Sequence, residues 1–226
     1  MLDGLRWLAL EVKDLDPAVA FYREHLDLPV RERDEREARL GAGESALVLR
    51  RPDSVPRGGL HTHFALSTPA DQYDDWWDRL SDSFDLEEHQ FGPARSLYFY
   101  DVVGNCVEIG QRDDAGEGIT GIFEVVLEVA DLDRAESFYR ALGMDLVDRG
   151  DNRKRVRLTA GPFDLELWEP HLGLADARGG VHVDLGLATT DSEGAVAAVD
   201  EQARTVQRLD DGIRLEDPDG HWLTLQ

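Results

Sequence analysis

The sequence predicts an α+β protein made of four tandem β-α-β-β-β modules, paired into two cupped, half-barrel mixed sheets with the helices outside. Three observations carry this. The ten residues 14–23 recur as residues 131–140, identical at seven of the ten positions. Alternating segments open each module, and their reference positions Trp7, His63, Glu124 and Asp184 lie 56, 61 and 60 residues apart. Each opening segment is followed by a stretch with helical apolar spacing, then by short apolar runs separated by turn residues.

In module one, Leu8, Leu10 and Val12 alternate with Trp7, Ala9 and Glu11, as a strand buried on one face requires. Asp16 is expected to cap the following helix, with Pro17 at its first position, where no amide partner is needed. Val19, Tyr22 and Leu26 then share its buried face. Pro29 and Gly41-Ala42-Gly43 punctuate strands that end in Ala46–Leu49, and residues 51–59 read as a linker.

Module two opens with Leu60–Ser67, in which His61, His63, Ala65 and Ser67 share one face. Its helix spans 71–84, with Trp76, Trp77 and Leu80 inward. Strands follow near 86–91, 96–100 and 106–110, the last two joined by a tight turn through Gly104 and Asn105. A polar stretch at 112–118 divides the chain into halves, 1–111 and 119–226. Module three runs from Ile122 to Trp168, with Asp133 as its expected helix cap. Residues 173–180 link it to module four, which ends at Gln226 and repeats the hairpin turn at 217–221.

Composition narrows the function. The chain has 226 residues, 47 acidic against 24 basic, a formal net charge of −23 and 42% hydrophobic residues. Lys13 and Lys154 are its two lysines. Such a surface repels nucleic-acid phosphates and anionic membranes, which argues against both as partners. The excess of carboxylates suits a surface hydrated and screened at high salt, so a halophilic protein is expected. The absence of a long apolar run or a leader pattern points to a cytoplasmic protein. One cysteine, Cys106, rules out internal disulfides and a cysteine-based zinc site.

The strand alternation places chemistry on the concave faces. Phe123, Val125 and Leu127 are expected to face their helix, leaving Ile122, Glu124 and Val126 in the cup. Val107 and Ile109 flank Glu108, and Leu165 and Leu167 flank Glu166. His63, Glu108, Glu124, Glu166 and Asp184 thus form a polar lining. His25 reads as a dipole-compensating surface residue, and His171 and His221 as loop and turn residues. His182 reads as a strand-edge polar residue, as does His61 in the bland case.

With these residues in view, the whole chain resembles the vicinal oxygen chelate superfamily, which includes glyoxalase I, extradiol dioxygenases, fosfomycin resistance enzymes and bleomycin-binding proteins. The resemblance rests on the Asp-Leu-Asp…Phe-Tyr-Arg helix starts, the Gly-Leu-His-Thr-His-Phe-Ala strand at 59–65, and Asp-x-x-Gly-Asn-x-x-Glu at 101–108. Its four-module length is most similar to the catechol-2,3-dioxygenase-like branch. The resemblance implies a divalent metal (iron, manganese, nickel or zinc), with His63 and Glu108 as ligands in the first pair of modules. Trp7 stands where dioxygenase-like members carry a histidine, and Phe91 where a supporting histidine would lie, with His89 two residues away. Positions of the second pair hold Glu124, Asp184, Thr224 and Glu166.

Two pairings stay open. Consecutive modules can pair, leaving two ligands in the first cup unless His61 turns inward as a third. Alternatively modules two and three meet, so that His63, Glu108, Glu124 and Glu166 converge as a nitrogen–oxygen ligand set. Tyr98 and His89 are then the candidate proton-transfer groups, and Trp7, His61, Phe91 and Trp222 candidate substrate contacts. The expected partner is a small oxygenated or aromatic molecule, processed by a dioxygenase-type or glyoxalase-type reaction, and a homodimer is allowed. The competing reading is a metal-free protein that sequesters such a molecule.

Overall fold

The computed structural model describes residues 2–52, 60–150, 154–170 and 183–226. Residues 53–59 of the first linker, the linker 173–180, His171 and His182 lie outside them. Four modules are present. The first is β1 (Leu2–Glu11), α1 (Leu15–Leu26), β2 (Val30–Arg33), β3 (Glu37–Ala42) and β4 (Ser45–Arg50). The second is β5 (His61–Pro69), α2 (Tyr73–Leu80), β6 (Glu87–Phe91), β7 (Ala94–Tyr100) and β8 (Cys106–Arg112). The third comprises β9 (Gly121–Glu128), α3 (Leu132–Leu142), β10 (Asp145–Arg149), β11 (Arg155–Ala160) and β12 (Phe163–Trp168). The fourth comprises β13 (Val183–Thr189), α4 (Ser192–Ala197), β14 (Thr205–Leu209), β15 (Gly212–Glu216) and β16 (Trp222–Leu225).

The helices start earlier than the acidic first turn suggests. Asp14 and Asp131, not Asp16 and Asp133, hold the N-cap positions, and the Asp131 side chain accepts the Arg134 amide. Pro17 is the third helical residue, still within the turn whose amides have no partner inside the helix. Helix α1 buries Val19, Tyr22 and Leu26 as its spacing predicts. Helix α2 is shorter than the expected 71–84; it buries Tyr73, Trp76 and Leu80 and leaves Trp77 half-buried.

Modules pair non-sequentially. One eight-stranded sheet runs β14-β15-β16-β13-β1-β4-β3-β2, joining modules one and four; the other runs β10-β11-β12-β9-β5-β8-β7-β6, joining modules two and three. Each half of the chain, 1–111 and 119–226, is therefore divided between both sheets. The central pairs β1/β13 and β5/β9 are antiparallel, and each member has a parallel neighbour on its other side. The core lies between sheets and helices, where Leu8, Tyr22, Phe64, Phe138, Leu165 and Leu223 are fully buried.

The repeated Phe-Tyr-Arg stretch explains how consecutive modules stay together without sharing a sheet. Tyr22 Oη donates to Asp101 Oδ2 at 2.7 Å, and Tyr139 Oη donates to Asp217 Oδ2 at 2.8 Å. Each aspartate also accepts the amides of its own hairpin turn: Val103 and Asn105 on Asp101, and Asp219, Gly220 and His221 on Asp217. His221, at the end of its hairpin turn, is buried, its Nε2 2.9 Å from the Glu128 carbonyl oxygen. The two sheets also touch through hairpin tips. At Gly43 (φ +57°) a Cβ would sit 1.6 Å from the Thr120 carbonyl oxygen, and at Gly161 (φ +59°) one would sit 2.5 Å from that of Asp3. Only glycine satisfies both the left-handed backbone and the close approach there.

Candidate metal centre

The cup of the second sheet gathers His63 from β5, Glu108 from β8 and Glu124 from β9, all buried. The registers place them: Ala65 pairs with Glu108 on one side and Glu124 on the other, and His63 lies two residues before it on the same face. Their ligand atoms all lie within 4.8 Å of one another. His63 Nε2 is 3.4 Å from Glu108 Oε2 and 3.5 Å from Glu124 Oε1, too far for strong hydrogen bonds. Thr62 Oγ1, 3.2 Å from His63 Nδ1, engages the other ring nitrogen and leaves Nε2 to the carboxylates.

Electrostatics show what is stored there. Burial opposes a charged His63 imidazole, but the facing carboxylates of Glu108 and Glu124 outweigh it and raise its pKa to about 9. Burial pushes the Glu108 carboxyl up, yet His63, Ser96 and Tyr98 together hold it below its usual value. The Glu124 carboxyl is raised, by burial first and then by the charges of Glu166 and Glu108. Glu108 Oε2 is buried and has no hydrogen-bond partner. A buried carboxylate oxygen left without a donor, opposite an imidazole nitrogen and a second carboxylate, fits a divalent cation.

Glu166, the expected fourth ligand, is engaged elsewhere. Its Oε1 accepts from Arg155 Nη1 at 2.6 Å and Arg157 Nε at 2.7 Å, and its Oε2 accepts from the Trp168 indole at 2.7 Å. Arg157 Nη2 also donates to Glu124 Oε2 at 2.6 Å. The arginine pair thus turns Glu166 into an anchor and leaves Glu124 Oε1 facing His63.

Asp184 does not join this cluster. It lies in the cup of the first sheet, where Arg214 (2.6 Å) and Arg50 (3.2 Å) meet its Oδ2 and Thr224 donates to its Oδ1 (3.2 Å). Trp7 and Trp222 belong to the same cup, beneath the guanidiniums of Arg39 and Arg214 respectively. These two candidate substrate contacts therefore fill a different hollow.

Beta-bulges account for two further departures. The register shifts between His61 and His63, so His61 pairs with Leu127, a core residue, and is absent from the cup lining. It is buried and lies outside the His63–Glu108–Glu124 cluster. A second shift makes Phe123 the extra residue between Ile122 and Glu124. Ile122 turns into the core and Phe123 into the cup, the reverse of the simple alternation.

The open cup encloses a cavity of about 520 Å³, with Tyr98, Phe123 and Trp168 as aromatic walls and His89 and Phe91 on the edge strand. Tyr98 has its pKa raised well above the usual phenol value, by burial first and then by Glu108. Its hydroxyl donates to Glu108. His89 is exposed, its ring 5.5 Å from that of Tyr98, and Phe91 is 52% exposed. No helix among the described residues is long and apolar enough to cross a membrane.

Residues 4–109 match the family described as the Glyoxalase/Bleomycin resistance protein/Dioxygenase superfamily. No curated protein matches the chain in sequence. Among solved structures, one described as a "putative dioxygenase" from Bacillus subtilis is similar, with a TM-score of 0.75 at 16% identity over 99% of this chain and 84% of the other. Two mutants of glyoxalase I from Zea mays give TM-scores of 0.74 and 0.73 at 22% and 24% identity. They cover 98% of this chain and 92% and 91% of theirs. At these identities the likeness establishes the fold.

Proposed function

We propose that the chain belongs to the glyoxalase/bleomycin resistance/dioxygenase superfamily, also called the vicinal oxygen chelate superfamily, which its residues 4–109 match, and that it is a divalent-metal-dependent enzyme acting on a small oxygenated molecule. The observation that carries this is the convergence of His63, Glu108 and Glu124 in one buried cup, with Glu108 Oε2 unsatisfied. These three residues would hold the ion. When bound, it would supply a Lewis acid able to chelate two adjacent substrate oxygens.

One imidazole with two carboxylates departs from the two-histidine, one-carboxylate set suited to ferrous oxygen chemistry, and favours proton-transfer chemistry of the glyoxalase type. The chain's own groups fit that division of labour. Tyr98 orients Glu108 by donating to it, and Arg157 fixes one oxygen of Glu124 while the other stays available. Glu124, with Oε2 held by Arg157 and Oε1 turned toward His63, is the candidate to accept a substrate proton. His89, at the solvent edge beside Tyr98, would exchange protons with water.

The experiment is metal analysis of the full chain purified in molar salt and incubated with manganese, iron, nickel or zinc. About one equivalent retained by the wild type and lost in His63→Ala is the expected result; no retention of any of the four ends the enzyme reading. Isomerisation of a glutathione hemithioacetal and oxygen uptake with catechols then separate the two reaction types. The second reading, metal-free sequestration, is favoured by one observation: a protonated His63 between two carboxylates balances charge without an ion. A halophilic, cytoplasmic setting belongs to the same proposal, and an unfolding midpoint that rises with potassium chloride would support its salt requirement.

A further inference from the structure

A chain with formal net charge −23 repels small anions from most of its surface. The open cup is an exception. Its lining sets Arg112, Arg155 and Arg157 against Glu108, Glu124 and Glu166, and a divalent cation there would make it net positive. Two of the three arginines are committed. Arg155 and Arg157 each bond to Glu166, and each gives a second donor to another carboxylate, Asp148 and Glu124 respectively. Arg112, among the described residues, has no carboxylate partner.

Its position is built by the strand. Glu108, Gly110 and Arg112 alternate on the cup face of β8, from the metal end to the rim. Gly110 leaves its place to a ring: a Cβ there would lie 2.9 Å from Phe123 Cζ. The bulge that turns Phe123 inward thus lays it over Gly110, and the Arg112 guanidinium stacks on it, 4.7 Å from the ring centroid. Stacking fixes the guanidinium plane while leaving its N–H edges for an anion. Four residue steps along the strand separate the Cα atoms of Glu108 and Arg112 by roughly 13 Å. An aromatic acid with a short spacer has about that length once side chains at both ends reach inward.

We propose that Arg112 is the specificity determinant of this cup, receiving a carboxylate at the far end of the substrate. The ligands are then small, planar-bodied carboxylic acids that lie against Phe123 with adjacent oxygens at the His63 end. The oxygen end rests on the metal reading above; the carboxylate end does not.

The test uses the full chain, metal-loaded and chelator-treated, with binding read by calorimetry. The paired probes are 3-(3,4-dihydroxyphenyl)propionate against 4-methylcatechol, and 3-phenylpropionate alone for the chelator-treated protein. In the loaded wild type the acid is expected to bind at least ~10-fold tighter than 4-methylcatechol, the scale of one hydrogen-bonded charge. Arg112→Gln should bring the two within ~3-fold without changing 4-methylcatechol affinity, and Arg112→Lys should keep part of the preference. Equal wild-type affinities, or a preference that survives Arg112→Gln, overturns the proposal. If the protein retains no metal, the enzyme reading fails alone. Binding of 3-phenylpropionate to the chelator-treated chain, weakened ~10-fold or more by Arg112→Gln, would still support Arg112, and its insensitivity to that change would refute it.

Discussion

The two cups come from one duplicated design and have opposite contents. In the second sheet, Ala65 pairs with Glu124 and Glu108, and Val126 pairs with His63 and Glu166. At the same lattice points of the first sheet, Gly186 pairs with Trp7 and Thr224, and Ala9 pairs with Asp184 and Val48. Trp7 thus replaces Glu124, Asp184 replaces His63, Thr224 replaces Glu108 and Val48 replaces Glu166. Trp7, Ala9, Ala46 and Val48 form a small apolar cluster, and a Cβ on Gly186 would fall 2.1 Å from the Trp7 ring. One cup is a packed interior closed by an Arg–Asp–Arg bridge. The other keeps a cavity, an orphaned carboxylate oxygen and an unpaired arginine. Concavity is thus supplied by the fold, whereas emptiness depends on which side chains occupy it.

The sharpest way to break this contrast is to empty the closed cup. Trp7→Ala should cost about 3–5 kcal/mol in denaturant unfolding, because the apolar cluster cannot refill the space, while metal retention in the other cup stays at wild-type stoichiometry. If metal is lost together with stability, the cups are not separate in function. Next in size, Glu124→Gln should weaken metal binding by ~100-fold, about 2.7 kcal/mol, with an unfolding midpoint of the metal-free protein close to wild type. An equal loss of stability would make the open cup as structural as its counterpart.

Smaller effects probe what the halves share. Tyr22→Phe leaves Asp101 with one donor fewer, and Tyr139→Phe does the same to Asp217; each should cost ~1–3 kcal/mol. Near-equal values would confirm equivalent joints, and a large inequality in denaturant melts would show that one half depends more on its joint. The gentlest effect is in pH. His63, raised to about 9 in the metal-free fold, contributes stability that is complete below its unfolded pKa near 6.5 and is lost as pH rises through 9. Chelator-treated wild type should therefore lose stability between pH 6.5 and 9.5 relative to His63→Gln. Parallel pH profiles for the two proteins would contradict a charged imidazole between the carboxylates.

Much of the fold was legible because it is repeated and periodic. The recurring Phe-Tyr-Arg helices, the spacing of the opening strands and the alternation in Val107–Ile109 fix elements locally. The site was half legible: His63, Glu108 and Glu124 were singled out, but their convergence was one of two open pairings. The misplacements have named causes. Bulges beside His63 and Glu124 shift the two-residue period, so His61 leaves the cup and Phe123 enters it. Glu166 and Asp184 looked like ligands because the strand alternation gave no sign of the arginines that claim them: Arg155 and Arg157 across a hairpin for one, Arg50 and Arg214 from more distant strands for the other. Arg112 carried no sequence signal either, since an arginine at a strand end is unremarkable until Gly110 and Phe123 are seen beneath it.

By itself, the sequence determined the four modules, their helices, the apolar faces and the acidic surface, since all of these follow from near-neighbour spacing along the chain. Only the tertiary structure decided that module two meets module three, which acids are neutralised by arginines and which oxygen is left over. Those outcomes depend on which strands come into register, from Arg157 and Glu166 across one hairpin to Arg50 and Asp184 from the first and last modules, and a one-residue bulge is enough to exchange what faces the core for what faces the cup.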